Sequence, residues 1–229
     1  MKASARGIAR AVEALTGGRL VLHPTETVVS LSGDPYSTVA VEAARHLKGA
    51  ARPRPFLCLV ADAASARALA GDWPDAAEAL AVAFWPGPLT LVVAAGRDAP
   101  APVVAEGRIA LRPAADPVSR RLLNAWGRPL FSTSANLGGG RPTTSVSEAV
   151  RVLSGAPGAE ALAIALTPLG GNSPPTDPPV ARLEEPSTIV DVTTVPPQLV
   201  RLGALTVERL KGVCPDIVGG CRNEPGGRA

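Results

Sequence analysis

The chain has 229 residues, a length typical of one large domain, and 46% of them are hydrophobic, enough for a sizeable core. The formal net charge is +3, which is too mild to require nucleic acid as a partner. No apolar run approaches the roughly 20 residues that span a bilayer, and the N-terminus lacks the continuous apolar segment of a secretory signal, so we expect a cytoplasmic protein with no membrane contact.

Helical and strand patterns alternate along the chain. Apolar residues at helical spacing predict helices, and short β-branched or continuously apolar runs predict strands. The predicted helices cover residues 4–15, 37–47, 62–70, 74–84 and 116–126, with a further helix that begins at residue 145. The predicted strands cover residues 19–23, 27–31, 55–60, 85–95 (a turn that enters a strand), 108–112, 128–136, 187–192 and 198–203. This alternation predicts an α/β sheet domain.

Three of the predicted helices begin with recognisable caps. Ser37 can cap the second helix, and Asp116 with Pro117 makes a good N-cap and first-turn pair. Ser145 and Glu148 have the spacing of a capping box. These caps fix where the predicted helices start.

Two segments are predicted to be irregular. Residues 167–187 are rich in Pro and Gly and form a long connection, of a kind that is either disordered or a lid. The tail after about residue 213 is expected to lack fixed structure. We therefore predict one folded domain over residues 1–212 and a flexible C-terminal tail over residues 213–229.

Polar clusters lie next to several predicted strands, where ligands bind in α/β sheets. They are residues 24–27, the basic segment 48–54, Arg112, the loop 132–136, and Ser187 with Arg201. None combines paired carboxylates, Cys with His, or Ser with His and Asp, and the sequence has two histidines, His23 and His46. This pattern argues against general acid–base hydrolysis and against a catalytic triad.

The sequence also has no GxxxxGK[ST] and no GxGxxG segment, so it carries neither a P-loop nor a dinucleotide fingerprint. The clusters contain hydroxyls, an asparagine and several cations. Such groups neutralise polyanions, and phosphoryl or nucleotidyl transfer needs little beyond positioning and charge neutralisation. The residues alone therefore favour a nucleotide or another phosphate ligand.

Taken in order, the clusters and the strands beside them resemble the YrdC-like family of L-threonylcarbamoyladenylate synthases, in its short single-domain form. The resemblance spans about residues 7–210. The segments that carry it are PTETVVSLSGDP, LKGAARPRPF, WPGPLTLVV, IALRPAADP, PLFSTSANLGG, PSTIVDV and LVRLGA.

The resemblance implies a fold and a reaction. The fold is a twisted, open, mixed α/β sheet with flanking helices, of the DHBP synthase-like kind, with a concave basic cleft. The reaction is a nucleotidyl transfer that joins L-threonine, bicarbonate and ATP into threonylcarbamoyl-AMP and pyrophosphate, for N6-threonylcarbamoyl modification of adenosine 37 in tRNA. The implied partners are these three substrates, with tRNA and the downstream threonylcarbamoyl transferase machinery. The implied cofactor is Mg²⁺ carried by ATP, without a metal-ligand motif in the protein.

The resemblance also implies roles for individual residues. Thr27, Arg112 and Ser187 match positions that hold the substrate threonine, with Arg112 as a bidentate clamp on its carboxylate. Lys48 matches the family's catalytic lysine, which neutralises ATP phosphates or holds bicarbonate. The remaining residues assigned to ATP binding are Arg52, Arg54, Arg108, Ser132, Ser134, Asn136, Thr143 and Arg201.

The basic segment departs from the family pattern. Relatives usually carry KxR at this point, but Ala50 stands where the arginine is expected. Arg52 and Arg54 follow closely and are candidates to replace it. Loss of one charge-assisted contact to phosphate would cost on the order of 1.5–3 kcal/mol of binding.

A second departure lies in the strand after PTET. Val29 replaces an aromatic residue, Ser30 and Ser32 replace glycines, and Leu59 stands where many relatives have histidine. Because glycine often marks close approach by a ligand, the added side chains are expected to narrow or reshape the cleft. Two alternatives therefore stay open: a non-catalytic RNA- or nucleotide-binding paralogue, and a related carbamoyl-transfer enzyme.

Overall fold

The structure is a computed structural model that describes residues 1–49, 55–168 and 185–219. Its helices are α1 (Ala5–Thr16), α2 (Thr38–Lys48), α3 (Ala63–Leu69), α4 (Asp75–Phe84), α5 (Pro117–Trp126), α6 (Val146–Ser154) and α7 (Val207–Val213), with short 3-10 helices at Ala101–Val103 and Ala159–Ala161. Its strands are β1 (Leu20–His23), β2 (Ser30–Gly33), β3 (Leu57–Val60), β4 (Leu89–Ala94), β5 (Arg108–Pro113), β6 (Leu130–Ser134), β7 (Leu162–Ala165), β8 (Thr188–Asp191) and β9 (Gln198–Arg201).

Within the described residues, the strands form one mixed sheet in the order β7-β1-β2-β6-β3-β5-β4-β8-β9. The parallel neighbours are β1 with β7, β3 with β5, and β4 with β8, and the other neighbours pair antiparallel. This open mixed sheet with flanking helices confirms the predicted α/β class.

Apolar residues cover the two faces of the sheet unequally. One face packs against α2, α3, α4, α6 and α7 in the larger core, around Phe131 and Leu91. On the other face, α1 and α5 form a smaller core with strand residues such as Leu59 and Leu130. The middle of β4, β5 and β8 takes no part in the smaller core, and Val92, Ala110 and Ile189 are half-buried there. Much of the second face is therefore available for polar residues.

The capping predictions hold for the helix starts. The Ser37 hydroxyl accepts from the N–H of Ala40, and Asp116 Oδ1 accepts from the N–H of Val118 at 2.8 Å. Ser145 Oγ accepts from the N–H of Glu148. The reciprocal half of the predicted capping box is absent from the described contacts, because the Ser145 N–H donates to Thr143 Oγ1 and the carboxylate of Glu148 accepts from the Thr143 hydroxyl.

The predicted strand over residues 27–31 begins later than expected, at Ser30. The Thr25 side chain explains why the strand does not start at residue 27. Its hydroxyl donates to the carbonyl of Val28 at 2.7 Å and accepts from the N–H of Thr27 at 3.2 Å. These local bonds compete with a strand ladder, so residues 24–29 form a compact loop between β1 and β2.

The structure also contains a strand that was not predicted, and it moves the onset of the predicted tail. Strand β7 was not predicted, since its short LAIA segment carries no strand signal distinct from a helical one. The flexible tail was expected from residue 213, but Ile217 is buried in the larger core and Val218 bridges to Gln198 in β9. Apolar contact therefore holds the chain to at least Val218. Residues 220–229 lie outside the described residues, as does most of the predicted lid at 167–187.

Candidate active site

The loop between β1 and β2 buries Thr27 against a charged side chain from β5. Arg112 Nη1 donates to Thr27 Oγ1 at 3.3 Å, and Thr27 Oγ1 also lies 3.0 Å from Thr25 Oγ1. Thr25 and Thr27 are each 1% exposed. The loop found in place of the predicted strand start therefore brings Thr27 to Arg112.

Arg112 is a buried cation with one acidic partner among the described residues. Its Nε lies 3.2 Å from Glu26 Oε1, and the two side chains are 4% and 2% exposed. Neither of these two atoms has a hydrogen-bond partner in the described part of the chain. Glu26 Oε2 instead accepts from the N–H of Ala115 at 3.3 Å. Arg112 is thus charge-compensated, and its buried Nε has no hydrogen-bond partner among the described residues. A guanidinium in this state suits a carboxylate ligand.

Ser187 lies beside Arg112 along the sheet. Strands β4 and β5 are antiparallel, and Leu91 is registered with Leu111. Thr90, one residue earlier in β4, therefore lies beside Arg112, one residue later in β5. Thr90 Oγ1 in turn lies 2.8 Å from Ser187 Oγ. Arg112 and Ser187 thus occupy one end of the sheet, and Thr27 reaches Arg112 from the loop between β1 and β2.

Arg201 holds Ser187 in place. Its Nη2 donates to the Ser187 carbonyl at 2.7 Å and to Ser187 Oγ at 3.1 Å, and its Nε donates to the same carbonyl at 3.1 Å. Strand β9 is separated from β6 by β3, β5, β4 and β8. The structure therefore brings Arg201 together with Ser187 and places four strands between it and Ser132 and Ser134 in β6.

Lys48 ends α2 and holds the loop after β6. Its Nζ donates to the carbonyls of Ser134 at 2.7 Å and Asn136 at 2.9 Å, and its own carbonyl accepts from the N–H of Gly138 at 2.7 Å. The next residue, Gly49, caps α2 with a left-handed φ of 57°, a conformation that favours glycine. Burial lowers the pKa of the Lys48 ammonium to about 8.

The loop after β6 presents an unpaired acceptor. Asn136 Nδ2 donates to the carbonyls of Leu137 at 2.8 Å and Gly140 at 2.7 Å, while its Oδ1 is buried without a partner among the described residues. Ser134 is half-buried at the end of β6. Because buried polar atoms are rarely left unpaired, Asn136 Oδ1 marks this loop as a binding position.

The other residues assigned to ATP make different contacts. Arg108 starts β5 and pairs with Asp191 at 3.0 Å and with Glu106, and these partners raise the pKa of its guanidinium. Thr143 donates its hydroxyl to Glu148, and its carbonyl accepts from the N–H of Val29 at 2.8 Å. Both residues are occupied by protein partners. Arg52, Arg54 and Ala50 lie outside the described residues.

Strand direction separates the assigned residues into two groups. Strand β6 is antiparallel to β3, and β3 is parallel to β5, so the end of β6 and the start of β5 lie at the same end of the sheet. Ser134 and Arg108 therefore share one end, and Arg112 at the end of β5 lies at the other. The loop before β2 joins the two groups, because Ser30 is registered with Ser134 while Thr27 contacts Arg112. The arrangement therefore offers a region beside Lys48 and a region beside Arg112 that this loop connects.

A row of buried polar groups, here called the hydroxyl row, was not predicted. It consists of Ser132, Ser30, Ser32, His23 and Ser119, joined by successive contacts of 2.6, 2.9, 2.8 and 2.9 Å. Burial lowers the pKa of the His23 imidazole to about 4, so the ring is neutral at physiological pH. The serines expected to narrow the cleft thus bond to one another inside the sheet. Alternating serines beside a histidine in an apolar strand were the available signal.

The described residues contain neither a metal-binding cluster nor a membrane-spanning helix. No group of three or more His, Cys, Asp or Glu side chains within them is placed to hold a metal ion. No helix in the same ranges is long and apolar enough to cross a membrane.

Comparisons with known proteins identify the family. A family model described as Telomere recombination, for Sua5, YciO and YrdC proteins, matches residues 13–159. A Mycobacterium tuberculosis protein with the provisional name threonylcarbamoyl-AMP synthase is 33% identical over 209 residues, which cover 91% of this chain and 89% of its own. The threonylcarbamoyl-AMP synthase of Pyrococcus abyssi is 32% identical over 202 residues, which cover 87% of this chain and 55% of its own.

A solved structure gives the same result. The crystal structure of Pyrococcus abyssi Sua5 complexed with L-threonine matches with a TM-score of 0.79 and 30% identity. The match covers 92% of this chain, which spans 58% of the length of that Sua5 chain.

Proposed function

Because the chain belongs to the Sua5, YciO and YrdC family, we propose that it is a threonylcarbamoyl-AMP synthase. In this proposal it is a nucleotidyltransferase that joins L-threonine, bicarbonate and ATP and releases pyrophosphate. The names of the relatives support the reaction, and the threonine-bound Sua5 structure supports the amino-acid substrate.

One observation carries the proposal most directly: the buried guanidinium of Arg112 beside Thr27. A free amino acid brings a carboxylate, and an arginine fork binds carboxylates bidentately. Glu26 already offsets the charge of Arg112, so the site can stay folded before threonine enters. Ser187, held by Arg201, adds a hydroxyl at the same end of the sheet. These groups would fix the orientation of the threonine amine that must react.

Lys48 would serve the ATP end. An ammonium has three N–H donors, and the described contacts use two of them on the carbonyls of Ser134 and Asn136. The third can reach a phosphate oxygen or the bicarbonate. The buried Oδ1 of Asn136 is an acceptor that suits an N–H or O–H group of the nucleotide. ATP would carry its own Mg²⁺, which neutralises part of the triphosphate charge.

The proposed route needs no nucleophile from the protein. The amine of threonine combines with bicarbonate to give a carbamate and water, and a carbamate oxygen then attacks the α-phosphorus of ATP. Pyrophosphate leaves, and its negative charge is stabilised by Lys48 and the metal. The protein would contribute positioning and charge neutralisation, which are the main requirements of transfer at phosphorus.

The product suggests the further partners. Threonylcarbamoyl-AMP is a reactive mixed anhydride, so it requires a downstream transferase that passes the threonylcarbamoyl group to adenosine 37 of tRNA. We propose that the chain acts in the cytoplasm with this machinery.

Pyrophosphate release tests the proposal. Purified protein is mixed with ATP and Mg²⁺, and L-threonine and bicarbonate are added separately and together. Release is expected with both added, and each omission should reduce it to background. D-threonine serves as the matched control, because with its carboxylate and amine in the same positions its side chain points to the opposite side of Cα. Release that ignores threonine would contradict the proposal.

A further inference from the structure

The far end of the hydroxyl row fixes the tautomer of His23. Ser119 Oγ donates to the carbonyl of Pro24 at 2.7 Å, and both oxygens face His23 Nδ1, at 2.9 and 3.1 Å. The carbonyl can only accept, and the Ser119 hydrogen is used on it. Nδ1 must therefore carry the ring hydrogen, since a bare nitrogen there would face two sets of lone pairs.

A neutral ring with its hydrogen on Nδ1 leaves Nε2 as an acceptor. Ser32 Oγ lies 2.8 Å from this nitrogen, so the Ser32 hydroxyl must donate to it. Ser30 Oγ lies 2.9 Å from Ser32 Oγ and 2.6 Å from Ser132 Oγ. These three contacts each need one hydrogen, and the hydroxyls of Ser32, Ser30 and Ser132 supply three.

Only one arrangement places a hydrogen in every contact. Ser32 donates to His23, Ser30 donates to Ser32, and Ser132 donates to Ser30. Any other choice leaves two oxygens within 2.9 Å with no hydrogen between them. The Ser30 contact with the Thr133 carbonyl, at 3.4 Å, is too long to compete. The row thus runs in one direction, from Ser132 toward His23.

The direction of the hydroxyl row determines whether Ser132 can donate or accept a hydrogen bond toward a ligand. Ser132 lies two residues before Ser134, whose carbonyl Lys48 holds, and it retains 4% exposure. Its hydrogen points into the sheet, so any ligand group that meets its oxygen finds lone pairs. An unprotonated phosphate oxygen would be repelled there, whereas an N–H, an O–H or metal-bound water would be attracted.

We propose that His23 is a positioning residue: acting through Ser32 and Ser30, it makes Ser132 a hydrogen-bond acceptor toward the nucleotide end of the site. The ligand group at Ser132 is then a donor and not a phosphate oxygen. The proposal rests on the proposed function for the presence of a nucleotide at this end. It assigns a use to the buried serines Ser30 and Ser32.

The ring tautomer tests the direction of the row without any ligand. The sequence has two histidines, so His46→Gln leaves His23 as the single imidazole in a nitrogen-15 NMR spectrum. The hydrogen is expected on Nδ1 and the ring neutral down to about pH 5, because burial holds the pKa of His23 at about 4. A hydrogen on Nε2, or an imidazolium near neutral pH, would overturn the proposal.

Metal-free tripolyphosphate tests the ligand side, because it offers acceptors and almost no donors. Ser30→Ala removes the partner of the Ser132 hydrogen, which can then turn outward. Tripolyphosphate should bind this variant about three- to tenfold more tightly than wild type, the worth of one net hydrogen bond. Ser30→Thr keeps a hydroxyl and should restore wild-type affinity. Ser132→Ala should not weaken tripolyphosphate binding.

A structural role for these serines would change tripolyphosphate affinity in the opposite direction. If Ser30→Ala and Ser132→Ala both weaken tripolyphosphate in step with a lower melting temperature, Ser132 acts as a donor or as packing, and the proposal is wrong. If no variant binds tripolyphosphate, including wild type, the proposed ATP site fails instead. In that case the ring tautomer decides the direction of the hydroxyl row by itself.

Discussion

Arg112 and Glu26 form an ion pair inside the protein, with Nε 3.2 Å from Oε1 and both side chains almost fully buried. The guanidinium also donates from Nη1 to Thr27, while Nε has no hydrogen-bond partner in the described residues. Two buried charges of opposite sign are costly to separate. The threonine end of the site is therefore built before any ligand arrives.

Removal of the acidic partner should destabilise the fold. Glu26→Gln keeps the shape of the side chain but leaves the charge of Arg112 unpaired, at an expected cost of about 3–5 kcal/mol in the free energy of unfolding. Urea denaturation followed by circular dichroism measures it. Asp34→Asn is the matched control, because it breaks the half-exposed pair with Arg128 and should cost less than about 1 kcal/mol. Equal effects of the two changes would argue against a buried pair.

Arg112→Lys should weaken threonine binding more than ATP binding. Lysine keeps the charge but loses the planar fork that binds a carboxylate at two points. The KM for threonine should rise about tenfold to a hundredfold, the worth of one charge-assisted hydrogen bond, with the KM for ATP nearly unchanged. Steady-state kinetics with each substrate varied in turn measures both. Arg128→Lys, at the half-exposed pair, is the control. A rise confined to the KM for ATP would place Arg112 at the wrong end of the site.

Arg201→Lys should act on threonine through Ser187. The Arg201 guanidinium holds the Ser187 carbonyl with two nitrogens, a grip that a lysine ammonium cannot reproduce. The KM for threonine should rise several-fold while kcat changes little. Arg209→Lys is the control, since the Arg209 guanidinium packs over the Phe84 ring. If ATP affinity falls instead, Arg201 contacts the phosphates as the resemblance implied.

Lys48 should make ATP binding depend on pH. Burial lowers the pKa of its ammonium from 10.5 to about 8 in the free protein. Below pH 8 the side chain is charged and attracts phosphate; above it the charge is lost, so ATP affinity should fall as pH rises. Calorimetric titrations on both sides of pH 8 measure this. In Lys48→Arg the charge persists, so the decline near pH 8 should vanish. The same decline in both proteins would assign it to another group.

The lowered pKa of Lys48 also makes the free energy of unfolding depend on pH. The pKa of Lys48 is lower in the folded protein than its ordinary value of 10.5, so the unfolded chain binds more protons between about pH 8 and 10.5. Stability contributed by this residue therefore rises with pH through that window. Comparison of wild type with Lys48→Arg by urea denaturation should show the rise in wild type alone.

Local signals in the sequence predicted most of the fold. The N-caps at Ser37, Asp116 and Ser145 were read correctly because capping depends on residues within one helical turn. The start of β2 was misplaced because β-branched residues suggested a strand, whereas the Thr25 hydroxyl satisfies the backbone locally. Strand β7 was missed because a short apolar segment does not reveal its period.

The sequence suggested candidate residues for the site, but it did not indicate which side chains contact one another. Thr27, Arg112 and Ser187 were assigned to one ligand, which stays a prediction; the structure brings Thr27 into contact with Arg112. The hydroxyl row depends on the register of β1, β2 and β6 and on Ser119, which lies 96 residues from His23 in the chain. No local pattern encodes such a pairing, so the serines could be read only as departures from the family.

The most direct test of the central claim is the identity of the product. The protein is incubated with ATP, Mg²⁺, L-threonine and carbon-13 bicarbonate, and the mixture is analysed at once by mass spectrometry. We predict threonylcarbamoyl-AMP that carries one carbon-13 atom, formed together with an equal amount of pyrophosphate. Formation of no adenylate, or of an adenylate without the labelled carbon, would contradict the assignment as a threonylcarbamoyl-AMP synthase.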